Sequence, residues 1–131
     1  MGMDVFGKQP KNPQGHYFRS DVWSWRVIHR LCDEAIDASH LPFNTEKWAR
    51  NDGHGLAAQE HCDLLADALE KQIERHPPNA KGIYAYELGA LWEGGPAVPT
   101  GAHSEPDHQA HVDHIRRWIL FLRNCGGFEI R

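Results

Sequence analysis

Residues 104–125, SEPDHQAHVDHIRRWILFLRNC, show the clearest helical pattern in this 131-residue chain. At 100° per residue, the apolar side chains from Val112 onward share one broad face, and the arginines lie on the opposite face. Ser104 is expected to cap the helix, and Pro106 suits its first turn. The glycine pair that follows Cys125 is expected to end it. The pattern therefore predicts a helix that buries one side against other elements.

Two further stretches have the same amphipathic pattern. Residues 21–38 follow Ser20, which is expected to cap them, and their apolar residues recur with the helical period. Residues 56–75 carry an apolar stripe beneath an acidic outer band, and the Pro77-Pro78 pair that follows forbids continuation of the helix. Both patterns predict helices that pack one side into a core.

The three predicted helices lead to a fold class. We predict a mainly α protein, with three helices packed as a bundle-like single domain over residues 16–131 and a small β element. That element is a short strand at residues 83–86, expected to pair with the C-terminal GFEIR. Residues 1–15 contain no apolar stretch like that of a signal peptide, and we expect them to form a disordered tail.

The composition is that of an ordinary soluble domain, with 40% hydrophobic residues and a net charge of −4. Because there is no basic excess, we expect no binding to nucleic acid. The longest apolar run, WILFL, is far too short to span a bilayer, so no membrane association is expected. Three cysteines without close pairs favour a reducing compartment, and we predict a cytoplasmic protein. Antiparallel helices would gather Cys32, Cys62 and Cys125 toward one end of the bundle.

Ten histidines are the unusual feature of the composition. The wheel of the helix at residues 104–125 places His108, His111 and His114 on the apolar face, one turn apart. Buried imidazoles need a hydrogen bond or a metal. One hypothesis is therefore a divalent metal site, for Zn or Ni, with Asp107 as base or fourth ligand of a metal-dependent hydrolase. The alternative is a polar edge of the helix interface, which is favoured because no HExxH motif or cysteine pair accompanies the histidines.

Aromatic residues outside the apolar stripes indicate a second kind of site. Trp23 falls among the arginines of the helix at residues 21–38, so either the preceding GHYFR segment folds back over its ring or the ring is exposed for a partner. Fold-back is favoured because Tyr17 needs burial too. Trp48 lies in the connection at residues 39–55 and is expected to cover one end of the core.

The leading functional hypothesis is a non-enzymatic protein-binding or adaptor protein. Its binding surface is expected around Arg19, Trp23, Trp48 and Asp52. The chain has no GxSxG motif, P-loop or dinucleotide-binding fingerprint, which favours binding over catalysis without deciding the question. The identity of the protein partner is open, and so is assembly into a homo-oligomer.

The NDGHG segment at residues 51–55 allows a third hypothesis. Asn51 or Asp52 could cap the helix that follows, and Gly53 permits a positive φ. Structural capping is the favoured interpretation. Alternatively, backbone amides at such a helix start could hold a small anionic ligand.

Three segments resemble one protein family. YFRSDVWSWR at residues 17–26, NDGHG at residues 51–55 and FLRNCGGFEI at residues 121–130 are similar to a pattern shared by small uncharacterised bacterial and phage proteins. That pattern has YFR before a Trp-rich helix, NDGxG before a helix, and FLRxxGGF at the end. The resemblance implies no activity, and the histidine run lies outside it. It does imply one shared surface, formed by Tyr17, Arg19, Trp25, Arg26, Asn51, Asp52 and Gly53.

Overall fold

A computed structural model describes residues 2–86 and 108–131. Within these residues the chain forms three α-helices and five β-strands arranged in two sheets. The predicted mainly α, bundle-like fold is therefore wrong, and the protein is a mixed α and β structure. In chain order the elements are β1 (Gly2–Gly7), β2 (Tyr17–Asp21), α1 (Val22–Ala38), α2 (Gln59–Arg75), β3 (Ile83–Tyr86), β4 (His108–His111), α3 (Val112–Asn124) and β5 (Phe128–Ile130).

The largest departure from the prediction lies at the N-terminus. Residues 1–15 were expected to form a disordered tail, but β1 occupies Gly2–Gly7 and a short 3-10 helix occupies Pro13–Gly15. Met3 and Val5 are buried and alternate with less buried neighbours, as in a half-buried strand. This alternation extends over too few residues to stand out in the sequence.

β1 is the centre of a three-stranded antiparallel sheet with the order β2-β1-β5. Val5 lies opposite Phe18 on β2 and opposite Ile130 on β5. All three side chains are buried, so one face of the sheet packs against the helices. The first and last strands of the described chain therefore pair in one sheet.

The three helices were predicted correctly in their main extent, but their ends differ. Asp21, rather than Ser20, caps α1, with its carboxylate accepting from the Ser24 N–H at 2.7 Å. α2 begins at Gln59, three residues later than residue 56. α3 begins at Val112, because β4 occupies residues that were assigned to the start of this helix.

The predicted strand at residues 83–86 is confirmed as β3, but its predicted partner is wrong. β3 pairs antiparallel with β4, with Ile83 opposite His111. The C-terminal strand pairs with β1 instead. The predicted cap Ser104, with Pro106 and Asp107, lies outside the described residues.

The core lies between the helices and the inner side of the sheet. Trp118 is fully buried, with its ring 5.2 Å from Trp25 and 5.3 Å from Phe128. Trp48 packs edge-on against Phe128 at 5.3 Å. This aromatic cluster joins α1, α3, the segment around Trp48 and the sheet. None of the described helices is long and apolar enough to cross a membrane.

Candidate binding surface

The side of the three-stranded sheet that faces away from the helices is the outer face. Side chains alternate along each strand, so every second residue of β1, β2 and the C-terminal segment points to it. It consists of Asp4, Phe6, Tyr17, Arg19, Glu129 and Arg131.

Asp4 lies at the centre of the outer face and orients its neighbours. Its Oδ1 accepts hydrogen bonds from the Tyr17 hydroxyl and, at 2.9 Å, from Arg19 Nη1. The hydrogen bond with Tyr17 and the charge of Asp4 raise the pKa of Arg19. At the border, the Asp4 N–H donates to Asn51 Oδ1 at 3.4 Å, and Asn51 Nδ2 donates to the Gly2 carbonyl at 3.2 Å. One carboxylate therefore holds a phenol and a guanidinium in fixed positions.

Aromatic rings occupy the same face. The rings of Phe6 and Tyr17 are 5.0 Å apart, and the Arg131 guanidinium lies 5.7 Å from the Phe6 ring centre. Tyr17 stays 41% exposed. Two aromatic rings flanked by two guanidinium groups thus remain accessible from solvent.

A groove runs between β2 and the flank of α3, next to the outer face. We call it the β2–α3 groove, and its volume is about 570 Å³. At one end Ser20 Oγ and His114 Nε2 are 2.9 Å apart, and at the other end the Lys11 N–H donates to the Asn124 carbonyl at 2.8 Å. The lining residues are Gln14, Tyr17, Phe18, Arg19, His114, Arg117, Leu120 and Phe121.

The β2–α3 groove is basic. Arg19, His114 and Arg117 line it, and no carboxylate of the described residues does. Within the part of the chain that the structure describes, Arg117 forms no ion pair. Burial lowers the pKa of His114, and the charge of Arg117 adds to this effect, while Asp21 opposes it. The arrangement suits a ligand with negative charge.

The two tryptophans that were predicted to share a binding surface have different environments. Trp48 is only 1% exposed, and its carbonyl accepts a hydrogen bond from Trp25 Nε1 at 2.8 Å. Trp48 is therefore a core residue that covers one end of the core, as expected, and does not belong to a surface. Trp23 is 59% exposed, and the Arg26 guanidinium lies 5.1 Å from its ring centre. The favoured fold-back over Trp23 is wrong.

The NDGHG segment covers an edge of the sheet. The Gly53 N–H donates to the Ile130 carbonyl at 2.7 Å, and the Ile130 N–H donates to the His54 carbonyl at 2.8 Å. Asp52 Oδ1 lies 3.5 Å from His54 Nε2. α2 begins only at Gln59, so neither the predicted capping by Asn51 or Asp52 nor an anion site at a helix start fits this geometry.

The histidines do not all lie where the helical wheel placed them. His111 is exposed and precedes α3 as its cap residue, whereas His114 contacts Ser20 in the β2–α3 groove. The side chain of His108, like Asp107, lies outside the described residues. Among residues 2–86 and 108–131, no three His, Cys, Asp or Glu side chains gather as metal ligands. A zinc or nickel site stays a prediction that the described residues do not support.

Two of the three cysteines meet in the core. The Cys62 and Cys125 sulfur atoms are 3.6 Å apart, and both residues are fully buried. Their mutual hydrogen bond is the main cause that raises the pKa of Cys62 and lowers that of Cys125. Burial raises the pKa of Cys32 to about 12. All three are free, buried thiols, as is usual for cysteines that pack as small apolar groups.

Several residues of the candidate site were missed from the sequence. Asp4 and Phe6 alternate with Met3 and Val5, and this period of two was the available signal. Arg117 was placed on the solvent side of its helix, and nothing in its sequence context indicated a groove. Of the predicted residues, Tyr17, Arg19 and Asn51 come together around Asp4. Trp23 and Trp48 do not join them.

Comparison with models of protein families, with curated proteins and with solved structures gives no significant match for this chain. The resemblance to small bacterial and phage proteins therefore stays a prediction.

Proposed function

We propose that this protein is a binding module that holds a protein partner on its outer face and in the β2–α3 groove. The observation that carries the proposal is the pair Tyr17 and Arg19, both exposed and both fixed by Asp4. Tyrosine and arginine are enriched at the energetic centres of protein interfaces. This proposal keeps the predicted adaptor role and moves it away from Trp48.

Preorganisation strengthens the argument. A long arginine side chain usually loses rotamer freedom on binding, at a cost of about 0.5–1.5 kcal/mol for each immobilised side chain. Here Asp4 already restricts Arg19 and Tyr17, and Phe6 supports the Tyr17 ring. Less entropy therefore remains to be lost when a partner binds, which favours binding over a purely solvating role for these side chains.

The partner surface is tested by site-specific photo-crosslinking. A benzophenone amino acid replaces Arg131 in one sample, because Arg131 is exposed on the outer face and is not bonded through its side chain to Asp4. It replaces Leu64 in a control sample, because Leu64 is 47% exposed on α2 and is not part of the outer face. We expect partner proteins from a native lysate to be crosslinked at position 131 and not at position 64. Arg19→Glu in the same sample is expected to abolish the crosslink, while circular dichroism shows an unchanged fold.

Trp23→Ala supplies a second comparison. Trp23 is the most exposed large apolar side chain of the described residues, and the Arg26 guanidinium lies over its ring. We expect this variant to retain the crosslink at position 131. Equal crosslinking at positions 131 and 64, or no effect of Arg19→Glu, would contradict the proposal.

A further inference from the structure

The backbone of β2 has an open side. In an antiparallel pair, facing residues alternate between those that exchange backbone hydrogen bonds and those that do not. The Gly7 N–H donates to the His16 carbonyl at 3.0 Å, which marks these two residues as a bonded position. Phe18 is the next bonded position in the register with β1. Tyr17 and Arg19 therefore direct their N–H and C=O groups away from β1.

These outward groups have no backbone partner within residues 2–86 and 108–131. β2 is an edge strand of the sheet in that part of the chain. An unpaired edge is a template for one more strand, which would lie about 4.8 Å away. The donors and acceptors of Tyr17 and Arg19 offer such a strand a set of hydrogen bonds.

The β2–α3 groove lies where this additional strand would run. Its floor includes Leu120, which is 40% exposed, and the neighbouring Phe121. Edge strands are usually protected by charges, bulges or covering segments. Among the described residues, this edge borders Arg19, Arg117 and an apolar floor, and the floor suits an apolar side chain of an incoming strand.

The charge of the groove indicates the composition of that strand. Arg19, His114 and Arg117 are the titratable groups that line it from β2 and α3, apart from the Tyr17 hydroxyl. Asp4 and Asp21 are the nearby carboxylates, one bonded to Arg19 and the other close enough to affect the pKa of His114. Arg117 is left without an ion pair among the described residues, so an acidic side chain is complementary to it.

We infer that an extended acidic segment of a partner protein adds to the edge of β2 as a fourth strand and fills the β2–α3 groove. Its backbone pairs with Tyr17 and Arg19, an acidic side chain meets Arg117, and an apolar side chain rests on Leu120. The inference rests on the proposed function, since it specifies the partner segment and its mode of binding.

A second copy of this chain is a less suitable occupant. Pairing β2 with its own copy would bring two basic grooves together, and facing like charges destabilise strand pairs. An acidic segment avoids this repulsion.

The test uses the fluorescein-labelled, amidated peptide EEVVEEV with the whole protein, because this order places both Glu and Val on each side of an extended strand. We expect binding by fluorescence anisotropy, together with slower hydrogen exchange at the amides of Tyr17 and Arg19. The peptide KKVVKKV is expected not to bind. Arg117→Glu is expected to weaken EEVVEEV binding at least about tenfold, which equals 1.4 kcal/mol. Arg116→Glu is the matched control, because Arg116 is exposed on α3 and does not line the groove.

Backbone methylation distinguishes strand addition from simple charge attraction. EEVVEEV is methylated on the amides of one set of alternate residues, and a second peptide carries methyl groups on the other set. Only one edge of an added strand faces β2, so we expect one of these peptides to lose binding and the other to keep it. Equal binding of both would overturn the inference.

The two proposals fail in different ways. If a partner is crosslinked at position 131 while Arg117→Glu and methylation leave peptide binding unchanged, the partner binds the outer face and strand addition is wrong. If no partner is crosslinked at position 131 and peptide binding is also unaffected, both proposals are wrong. A dimer in light scattering whose Tyr17 and Arg19 amides are protected without peptide would show that a second copy occupies the edge, which also overturns the inference.

Discussion

The two edges of the three-stranded sheet differ in the backbone hydrogen bonds that they form. Along β5, the N–H of Phe128 donates to the Leu56 carbonyl at 2.7 Å, and Ile130 exchanges backbone hydrogen bonds with the segment around His54. Along β2, the outward backbone groups of Tyr17 and Arg19 meet no backbone partner among the described residues. One edge is closed by the chain itself, and the other edge borders a basic groove.

The two edges contain different motifs: those along β5 have a structural role, and the one along β2 is available for binding. NDGHG pairs with β5, and the glycines of FLRNCGGF allow a tight approach, since a Cβ at Gly127 would lie 2.6 Å from the Ala57 carbonyl oxygen. Both motifs therefore serve the closed edge. YFR supplies Tyr17 and Arg19 to the open one. The resemblance that joins these three motifs thus includes residues with different physical roles.

The largest effect is expected from crowding the closed edge. A Cβ at Gly55 would lie 2.2 Å from the Phe128 carbonyl oxygen, so Gly55→Ala forces the covering segment away from β5. We expect the free energy of unfolding to fall by about 3 kcal/mol, at the upper end of the cost of overpacking. Urea denaturation followed by tryptophan fluorescence measures it. A loss below about 0.5 kcal/mol, typical of an ordinary surface change, would contradict the closed-edge geometry.

The helices were the part of the fold that the sequence predicted well. A helix repeats its apolar pattern over many residues, and α1 and α2 are each 17 residues long. The strands are three to six residues long, so their period of two is repeated too few times to be recognised. β1 was read as a tail, and without it the C-terminal strand was given the wrong partner.

The candidate site was predicted less well, for a different reason. Tyr17, Arg19 and Asn51 gather around Asp4. Asp4 is close to all three in space, although Arg19 and Asn51 are far from it in the sequence. Long-range strand register creates this cluster, and local patterns contain no information about register. Trp48 was expected both to cover one end of the core and to belong to the binding surface, and its burial fits only the first expectation.

Hydrogen exchange compares the two edges directly. The amides of Phe128 and Ile130 donate to backbone carbonyls of the covering segment, whereas those of Tyr17 and Arg19 point outward from β2. We expect the first pair to exchange at least on the order of 100-fold more slowly than the second in the protein without peptide, because opening the closed edge requires local unfolding. Nuclear magnetic resonance resolves each amide. Comparable protection at all four positions would mean that the β2 edge is covered.

The free energy of unfolding is expected to depend on pH through His114, which lies near the β2 edge. Burial lowers the pKa of His114 in the folded protein, so the unfolded chain takes up this proton first as pH falls. The stability contributed by neutral His114 is thus complete above the unfolded pKa, about 6.5, and is lost as pH falls toward the folded pKa. The free energy of unfolding should decrease by up to about 1.4 kcal/mol per pH unit for this one proton.

His114→Gln isolates this contribution. Glutamine keeps an amide that can bond Ser20 Oγ but does not titrate, so the variant should lose less stability between pH 7 and pH 5 than the wild type. His29 is also buried with a lowered pKa, and it contributes equally to both proteins. If the free energy of unfolding, measured in urea titrations, changes with pH in the same way in both proteins, folding does not lower the pKa of His114.

The smallest effect is expected at Gly53, where the closed edge depends on backbone conformation alone. Gly53 has φ of +93°, and a Cβ there would meet no atom within 4 Å, in contrast to Gly55. Gly53→Ala should cost about 1 kcal/mol from backbone strain, and Gly53→Asn should cost less because asparagine tolerates positive φ better. Urea denaturation of the three proteins should therefore give the order Gly, Asn, Ala. Equal stabilities would mean that the Gly53 N–H bond to Ile130 does not depend on this conformation, and that the edge is closed by the segment from His54 to Leu56.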